Sequence, residues 1–274
     1  MDPATGLMDP RSVEEKGLEL HAQYAAAKPF PHITIDDFMP PELLERCLDD
    51  FPASEEAEHG FARPQERLKK SYTPEHLPPR TRQLFHSLNS RPFIQLVENI
   101  TGIKGLIPDP FFSGGGFHEI LEGGHLSIHA DFNHHVQMNL ERRVNVLIYL
   151  NKDWADEYGG QLELWENSMT HCVQSIVPLF NRCVVFSTTS KSNHGNPTPI
   201  SHPDGVPRRS IALYYYTATW DGLKRDHTTQ FRVRPGSDDS PDTSVRLHEM
   251  TMELVPPILF RGGRRLKRGL SRRR

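Results

Sequence analysis

Two histidines and one aspartate form the most informative pattern in this chain. His129 and Asp131 lie two residues apart, and His194 follows about sixty residues later in a Ser-Asn-His-Gly-Asn-Pro run. Residues at i and i+2 of a β-strand point to the same face, so this imidazole and this carboxylate can reach a common point. A second histidine from another strand would complete three ligands on one side of a metal ion. Such a set leaves coordination positions open and suits Fe(II) that must also bind O₂.

The His-x-Asp pair alone is a weak signal, because the chain holds 15 histidines and chance pairs are expected. Such a pair is most often part of a surface strand or turn. His134 and His135 follow it closely, in what we expect to be a solvated loop. His118 and Glu119 precede it and are expected nearer the mouth of any substrate site. The surroundings of each motif must therefore decide whether the pair binds metal.

A series of short apolar segments predicts the framework that would hold these side chains. The segments are rich in β-branched residues, and glycine, asparagine and proline turns separate them. They cover residues 125–131, 143–151, 161–165, 175–178, 182–186 and 208–216. Short strands at this spacing favour an antiparallel sandwich or barrel, in which side chains from different strands meet in the interior.

Arg208 and Ser210 indicate an anion site on the last of these segments. They form a second i, i+2 pair on one face of a strand whose other residues on that face are alanine and tyrosine. A guanidinium can grip a carboxylate with two parallel hydrogen bonds, and the serine hydroxyl can add a third donor. The alternative is that Arg208 only extends the solvated Arg208-Arg209 pair at the start of the strand.

The span from about residue 114 to residue 217 resembles the 2-oxoglutarate- and Fe(II)-dependent dioxygenases. It is most similar to their prolyl 4-hydroxylase branch, which includes the hypoxia-factor prolyl hydroxylases of animals. Five motifs occur in the right order: His129-Ala130-Asp131, the strand end from Ile148 to Trp154, Gly159-Gly160-x-Leu162, His194 with Pro197, and Arg208-x-Ser210. The segment 30–38 also resembles the entry segment of such proteins.

This resemblance implies the fold and the metal centre. The fold would be a double-stranded β-helix, the cupin-like jelly roll, which is mainly β with flanking helices and an N-terminal helical buttress. His129, Asp131 and His194 match the catalytic iron ligands of the family. Asp131 also argues against a halogenase, in which a halide takes the place of the carboxylate.

The resemblance also implies a binding site for 2-oxoglutarate. Arg208 matches the residue that binds the distal carboxylate of this co-substrate, Ser210 matches its helper, and Tyr149 matches a tyrosine that hydrogen-bonds the same carboxylate. Asn145 shares the strand face of Tyr149, so we expect it to line the pocket too. Two departures bear on the substrate: Leu121 replaces a tyrosine of the hypoxia-factor group, and residues 200–205 are inserted.

The implied cofactors are Fe(II), 2-oxoglutarate and O₂, with ascorbate as an accessory. The implied reaction hydroxylates an unactivated C–H bond, first of all in a prolyl residue of a peptide or protein, and converts 2-oxoglutarate to succinate and CO₂. A free amino acid or another small metabolite is the alternative substrate. The other alternative is a non-catalytic jelly-roll binding module, but such a module would not require the three metal ligands together with Arg208. Oxidative demethylation of nucleic acid ranks low, because the core lacks an evident basic and aromatic surface for base flipping.

Composition bounds the remaining possibilities. The 274 residues suffice for one jelly roll with extensions, and the three cysteines make neither a disulfide framework nor a paired metal site. Reduced thiols favour a cytoplasmic protein. The N-terminal 17 residues lack the apolar stretch of a secretion signal, and no run is long enough to span a membrane.

The charge pattern and the helical patterns divide the chain into four regions. The divisions are 1–105, mostly helical and packing on the core; 106–220, the jelly-roll core; 221–260, a C-terminal extension; and 261–274, a basic tail. The tail holds eight basic residues and no acidic one, whereas the rest of the chain carries a formal charge of −11. We expect a disordered, solvated tail; the alternatives are that it binds nucleic acid or another anionic surface, or that it folds back onto the acidic body.

Within the first region, helices are expected at 41–48, 79–88 and 92–101, where proline stands near the start of each apolar pattern. The polar stretch 53–76 is expected to be a solvated connection, with a mobile loop over the active site as the alternative.

Overall fold

The described part of the chain contains four α-helices and thirteen β-strands. The computed structural model describes residues 1–4, 6–53, 56–57, 59–221 and 226–242. The helices are α1 (Pro10–Ala26), α2 (Pro41–Asp49), α3 (Pro79–Leu88) and α4 (Arg91–Thr101). The strands are β1 (His32–Ile35), β2 (His59–Arg63), β3 (Glu66–Tyr72), β4 (Ile107–Pro108), β5 (Gly116–Ala130), β6 (His134–His135), β7 (Leu140–Tyr149), β8 (Leu162–Trp165), β9 (Cys172–Ile176), β10 (Cys183–Ser187), β11 (Asn193–Asn196), β12 (Arg208–Thr217) and β13 (Gln230–Phe231).

The strands form one curled, antiparallel sheet with the central order β1-β10-β7-β12-β5-β11-β8-β9. β5 is 15 residues long, and its first half pairs with β12 while its second half pairs with β11. This strand therefore joins a larger sheet, β1-β10-β7-β12-β5, to a smaller one, β5-β11-β8-β9. Apart from the hairpin β8–β9, neighbours along this order are not consecutive in the chain, as expected for the predicted jelly roll.

Successive side chains of β7 alternate between a face that is covered by helices and a face that points to the interior. Val144, Val146 and Ile148 belong to the hydrophobic cluster that also contains the buried residues of α2, α3 and α4. Tyr149 instead belongs to a second cluster, with residues of β8, β9 and β10. Since residues at even spacing share a face, Asn145 also points to the interior. Polar side chains from several strands can therefore converge there.

Helix α4 shows how the sequence forms the helical layer. Phe93, Leu96, Val97 and Ile100 recur at helical spacing, and each is at most 3 % exposed. The helix ends at Gly102, whose φ of 73° lies in the left-handed region that glycine adopts without a steric penalty. One apolar face thus packs against the larger sheet, and the turn after it leads the chain towards β4.

The helices expected at 41–48, 79–88 and 92–101 are present as α2, α3 and α4, within one residue at each end. Each has a proline at its first or second position, where the missing N–H is not needed. Their buried residues share one cluster with β7 and β12, so they form the expected buttress.

The region 1–105 is nevertheless less helical than expected. β1 pairs with β10 at the edge of the larger sheet, and most of the stretch 53–76 forms the hairpin β2–β3 rather than a solvated connection. β3 then pairs along β5, from Tyr72 opposite Phe117 to Glu66 opposite Leu126. The sequence does not predict this strand, because polar residues occupy both of its faces and the usual alternation of apolar and polar residues is missing.

The C-terminal extension also begins differently from the expected division at residue 220. Residues 226–240, which we call the strap, include β13, and β13 pairs with β5. The chain from Met1 to Ser240 accordingly forms one compact unit. The extension from residue 243 and the basic tail 261–274 lie outside the described residues.

Within the part of the chain that the structure describes, no helix is long and apolar enough to cross a membrane.

Candidate active site

The strands that carry the predicted metal ligands lie side by side in the smaller sheet. His129 on β5 is directly opposite His194 on β11, and their ring centroids are 4.5 Å apart. Asp131 follows β5, with Oδ1 3.5 Å from His129 Nε2 and Oδ2 3.4 Å from His194 Nε2. One ligand atom from each residue lies within 4.8 Å of the other two. Among the described residues, no other group of three His, Cys, Asp or Glu side chains comes together in this way.

The backbone fixes the orientation of both imidazoles. His129 Nδ1 lies 2.9 Å from the carbonyl oxygen of Ser127, and His194 Nδ1 lies 2.9 Å from that of Ser192. A carbonyl oxygen only accepts, so each Nδ1 donates its proton and each Nε2 keeps its lone pair in the neutral ring. Both Nε2 atoms face Asp131. Imidazoles that are held in this way present the nitrogen that binds transition metals, so the three residues fit a metal ion.

The charges of the cluster also suit a metal. Burial alone would raise the pKa of Asp131, but Arg142, His194 and His129 outweigh it and hold this pKa well below its usual range. Burial lowers the pKa of His194 to about 4, so this ring is neutral at pH 7. Metal ligands must be deprotonated, and the protein holds the carboxylate and the imidazole in that state.

Arg142 and Asn145 hold Asp131 in place. Arg142 Nη2 lies 3.1 Å from Asp131 Oδ2, and Asn145 Nδ2 donates to the same oxygen at 2.8 Å. Arg142 also donates to Asn145 Oδ1 from Nε and Nη2, at 3.0 and 2.8 Å. The guanidinium stacks on Tyr214, with Cζ 3.6 Å from the ring centroid. These bonds form a network that orients the carboxylate towards the two histidines.

The structure places Asn145 beside Asp131, whereas its spacing from Tyr149 led us to expect it in the co-substrate pocket. Asn145 does face the interior, as its spacing from Tyr149 predicts. However, four residues of strand span roughly 13 Å, which places the two side chains at opposite ends of the interior. Asn145 contacts Asp131 rather than Arg208. Arg142 itself was missed, although a charged residue that leads into an apolar strand is a signal that could have identified it.

Arg208 forms the second charged centre of the interior. It is 5 % exposed, its Nε donates to the carbonyl oxygen of Gly160 at 2.7 Å, and its Nη2 donates to Tyr149 Oη at 3.4 Å. No carboxylate of the described residues lies within 4.0 Å of the guanidinium. Burial lowers the pKa of Arg208, because the cation has lost water without gaining an acidic partner. An anionic ligand would stabilise a buried guanidinium that lacks an acidic partner.

The residues around Arg208 complete an anion pocket. Tyr149 and Ser210 lie directly opposite each other on β7 and β12, and both are buried. Their hydroxyl groups can donate hydrogen bonds to an anion. Gly160 has a φ of 72°, and a Cβ there would lie 2.8 Å from Arg208 Cδ. Because glycine has no Cβ, the side chain of Arg208 has room to lie against this position.

Arg209, the next residue, lies on the opposite face. It donates to Glu119 Oε1 from Nε at 3.0 Å and pairs with it through Nη2 at 2.9 Å. The hydroxyl of Tyr72 donates to the other carboxylate oxygen at 3.1 Å. Strand alternation separates the two arginines as predicted. Glu119, expected near the substrate mouth, is instead buried in this ion pair because it points to the side of β5 opposite to the interior.

His118, which was expected near the mouth of a substrate site, points into the interior. It lies opposite Ser210, and its Nε2 is 2.9 Å from the carbonyl oxygen of Gly114. The Nε2 must donate, so Nδ1 keeps its lone pair. Burial, followed by the charge of Lys69, lowers the pKa of His118 to about 3. Only the register between β5 and β12 shows that this neutral ring lies beside the anion pocket, and spacing in the sequence does not fix that register.

The family model that matches the chain describes the 2OG-Fe(II) oxygenase superfamily and covers residues 115–216. These residues run from β5 to β12 and include every side chain of the two charged centres. No curated protein matches the chain.

Solved structures share the fold at low sequence identity. A prolyl hydroxylase from Trichoplax adhaerens, in complex with a hypoxia inducible factor oxygen degradation domain peptide fragment, matches with a TM-score of 0.57 and 19 % identity over 78 % of this chain and 95 % of its own. A prolyl 4-hydroxylase from Phytophthora capsici matches with a TM-score of 0.51 and 19 % identity over 77 % of this chain and 66 % of its own.

A third solved structure has a different activity. The non-haem alpha-ketoglutarate-dependent epimerase SnoN from nogalamycin biosynthesis matches with a TM-score of 0.51 and 12 % identity over 85 % of this chain and 93 % of its own. At these identities the likeness concerns the fold.

Proposed function

We propose that this chain, whose residues 115–216 match the model of the 2OG-Fe(II) oxygenase superfamily, is a 2-oxoglutarate-dependent dioxygenase that hydroxylates an unactivated C–H bond. The observation that carries the proposal is the buried guanidinium of Arg208, which has no acidic partner among the described residues. It shares the interior with the His-Asp-His cluster. A non-catalytic binding module has no need of both centres.

The cluster would hold the metal. His129 and His194 would bind Fe(II) through Nε2, and Asp131 would bind it through its carboxylate. When bound, Fe(II) with 2-oxoglutarate and O₂ supplies the oxidising chemistry, in which the co-substrate becomes succinate and CO₂ and one oxygen atom is transferred to the substrate. Arg142 and Asn145 keep Asp131 ionised and oriented, so the carboxylate does not need to reorganise when the metal enters.

Arg208 would anchor the distal carboxylate of 2-oxoglutarate. Its guanidinium fork is directed by the Gly160 carbonyl, and Tyr149 and Ser210 supply further donors. Because the pocket is shielded from water, a charge-assisted hydrogen bond is stronger there than at the surface. The pocket thus fixes one end of the co-substrate, so that its other end is directed towards the metal ligands.

We propose a prolyl residue of a peptide or protein as the substrate. The support is the shared fold with the Trichoplax adhaerens enzyme, whose structure contains such a peptide fragment. Dependence on ascorbate and a cytoplasmic location also remain proposals. The free cysteines Cys47, Cys172 and Cys183 support a reducing compartment.

A free amino acid or another small metabolite is the second candidate substrate. The hydrogen-bonding state of His118 favours it. Its Nδ1 is a hydrogen-bond acceptor in the interior. The nitrogen of a prolyl residue within a peptide carries no hydrogen, whereas a free amine or a hydroxyl group can donate to this atom.

The test is to follow succinate formation by the Fe(II)-loaded full chain with 2-oxoglutarate and O₂. Proline-containing peptides, the same peptides with alanine at the proline position, and free L-proline are then compared by mass spectrometry for one added oxygen atom. Oxidation of the proline peptides alone supports the first substrate, and oxidation of L-proline supports the second. No succinate under any condition, with metal bound, would overturn the proposed function.

A further inference from the structure

The strap, residues 226–240, lies beyond the residues that match the family model, yet it contacts the strand of the metal ligands. β13 pairs with the second half of β5, with Gln230 opposite Ala130 and Phe231 opposite His129. The strap covers the edge of β5 just past the place where β3 ends. Since β3 and β13 cover this edge in succession, the strand that carries His129 has hydrogen-bonding neighbours on both sides.

The strap also holds the backbone on both sides of the ligand pair. The N–H of Arg232 donates to the carbonyl oxygen of Ile128 at 2.8 Å. On the other side of the pair, the N–H of His227 donates to Asn133 Oδ1 at 2.9 Å, and the N–H of Asn133 donates to the carbonyl oxygen of His227 at 3.4 Å. The ligand segment 129–131 is therefore fixed at both of its ends by the same element.

A side chain of the strap reaches the loop that precedes the third ligand. Arg232 Nη2 donates to the carbonyl oxygen of Ser190 at 3.2 Å. This loop also contains Ser192, whose carbonyl oxygen accepts the Nδ1 proton of His194. The strap thus links the segments that carry all three ligands.

Two further interactions fasten the far end of the strap. Arg234 and Asp239 form an ion pair within it, with Nε 2.8 Å from Oδ2 and Nη2 3.0 Å from Oδ1. Gln65, in the turn of the β2–β3 hairpin, donates to the backbone carbonyl and the hydroxyl of Ser240, both at 3.2 Å. The strap therefore has a defined path although much of its surface is exposed.

Phe231 places an aromatic ring against a metal ligand. Directly opposite residues in an antiparallel pair point to the same side of the sheet, so Phe231 shares the interior face with His129. The ring centroids are 5.7 Å apart with an angle of 46° between the planes. The imidazole thus packs between His194 on one side and Phe231 on the other, and its Nδ1 is held by Ser127.

We propose that the strap is part of the metal centre and that Phe231 is a positioning residue, which holds the imidazole of His129 in the orientation that binds the metal. This rests on the proposed function, since it assumes that His129 is a ligand. It extends the metal centre beyond residue 216. Residues that orient a metal ligand typically contribute 10- to 100-fold to metal affinity, so we expect roughly that loss when the Phe231 ring is removed.

The experiment titrates the full-length protein with Co(II) and records its visible absorption, which reports both affinity and coordination geometry. The variants are Phe231→Ala, Phe231→Leu and, as the control on the same strap, Val233→Ala, whose side chain is 40 % exposed. We expect Phe231→Ala to bind Co(II) roughly 10- to 100-fold more weakly with an altered spectrum, Phe231→Leu to recover part of the affinity, and Val233→Ala to match the parent.

Thermal unfolding of the metal-free variants separates positioning from general stability. The proposal requires that Phe231→Ala lose affinity by more than Val233→Ala does while it still unfolds cooperatively. Parental affinity and spectrum in a folded Phe231→Ala protein would overturn it. If Phe231→Ala does not fold, Phe231→Leu decides, because unchanged binding and spectrum in that variant would also overturn the proposal. Failure of the parent to bind Co(II) would instead refute the metal centre itself.

Discussion

The two ends of the interior differ in how their buried charges are balanced. At the metal end, Asp131 has Arg142 at 3.1 Å and an amide donor from Asn145 at 2.8 Å. At the anchor end, Arg208 has only neutral partners among the described residues, the Gly160 carbonyl and the Tyr149 hydroxyl. The protein therefore balances its carboxylate itself, whereas the charge of the arginine is left for a ligand to balance.

This difference shows which kind of observation locates a ligand. A buried ion pair with complete hydrogen bonding is common as a structural element. A buried charge without a counter-charge lowers stability and persists where a ligand supplies that charge. The guanidinium of Arg208, which has no acidic partner in the described part of the chain, therefore points to an anionic co-substrate more directly than the clustered ligands point to a particular metal.

The largest expected effect is at the anchor end. Arg208→Ala removes the only charged partner that we assign to the distal carboxylate of 2-oxoglutarate, and we expect a loss of about 2–5 kcal/mol, or roughly 30- to 4000-fold in affinity. Calorimetric titration of the metal-loaded protein with 2-oxoglutarate measures it. The metal affinity of the co-substrate-free protein should not change, because Arg208 makes no contact with the three ligands.

Arg209→Ala is the matched control for this prediction. It should leave 2-oxoglutarate affinity unchanged, because Arg209 points to the other face and pairs with Glu119. It should lower the free energy of unfolding, by about 1–3 kcal/mol, since the buried carboxylate of Glu119 loses the ion pair with Arg209. A larger loss of co-substrate affinity in Arg209→Ala than in Arg208→Ala would show that the register of β12 is wrong by one residue.

Replacement of Asn145 tests whether this residue supports the metal end or the anchor end of the interior. Asn145→Ala removes one hydrogen bond to Asp131 and the acceptor for Arg142, so metal affinity should fall roughly 10- to 100-fold. Affinity for 2-oxoglutarate, measured with saturating metal, should change little. The opposite pattern, normal metal affinity with weakened co-substrate binding, would restore the role expected for Asn145 from the sequence.

The pH dependence of stability tests the neutral ring of His118 beside the anchor end. Its folded pKa of about 3 lies below the ordinary value of 6.5, so below pH 6.5 the unfolded chain binds a proton that the native state does not. Stability is therefore lost as pH falls from 6.5 towards 3, and the loss due to His118 amounts to about 2 kcal/mol at pH 5. Denaturant unfolding of the metal-free protein at pH 7 and pH 5 measures this.

His118→Gln supplies the comparison for that measurement, because glutamine does not titrate. The variant should lose about 2 kcal/mol less than the parent between pH 7 and pH 5. Equal losses in both proteins would mean that His118 is not buried as a neutral ring. His194, whose pKa burial also lowers, contributes in the same direction to both proteins and therefore cancels.

The smallest expected effect concerns Tyr149. Its hydroxyl lies 3.4 Å from Arg208 Nη2, which is a long hydrogen bond. Tyr149→Phe should weaken 2-oxoglutarate binding by about 0.5–1.5 kcal/mol, or roughly 2- to 10-fold, because one neutral donor is lost and the ring is kept. A loss as large as that of Arg208→Ala would mean that the hydroxyl, rather than the guanidinium, dominates the anion pocket.

The sequence predicts the fold and the content of the site to different extents. Helical spacing with an initial proline located α2, α3 and α4, and apolar runs located the central strands. The i, i+2 rule placed His129 with Asp131 and separated Arg208 from Arg209. These features depend on periodicity along one strand or one helix, which the sequence contains directly.

Features that depend on pairing between distant segments were not predictable in this way. The hairpin β2–β3 has polar residues on both faces, and the strap contributes only two residues to the sheet, so neither shows an apolar pattern. The contact of Asn145 with Asp131, rather than with the anchor, follows from the position of Asp131 beyond the end of β5. His118 and Phe231 acquire their surroundings only through the register of β5 with β12 and β13.

The most direct test of the account measures succinate formed from 2-oxoglutarate by three proteins loaded with Fe(II) in the presence of O₂: the parent, His194→Ala and Arg208→Ala. We expect turnover by the parent, none by His194→Ala at any co-substrate concentration, and recovery of Arg208→Ala only when the 2-oxoglutarate concentration is raised. Turnover by His194→Ala close to that of the parent, or an inactive parent that binds both metal and 2-oxoglutarate, would contradict the assignment of these two centres to one reaction.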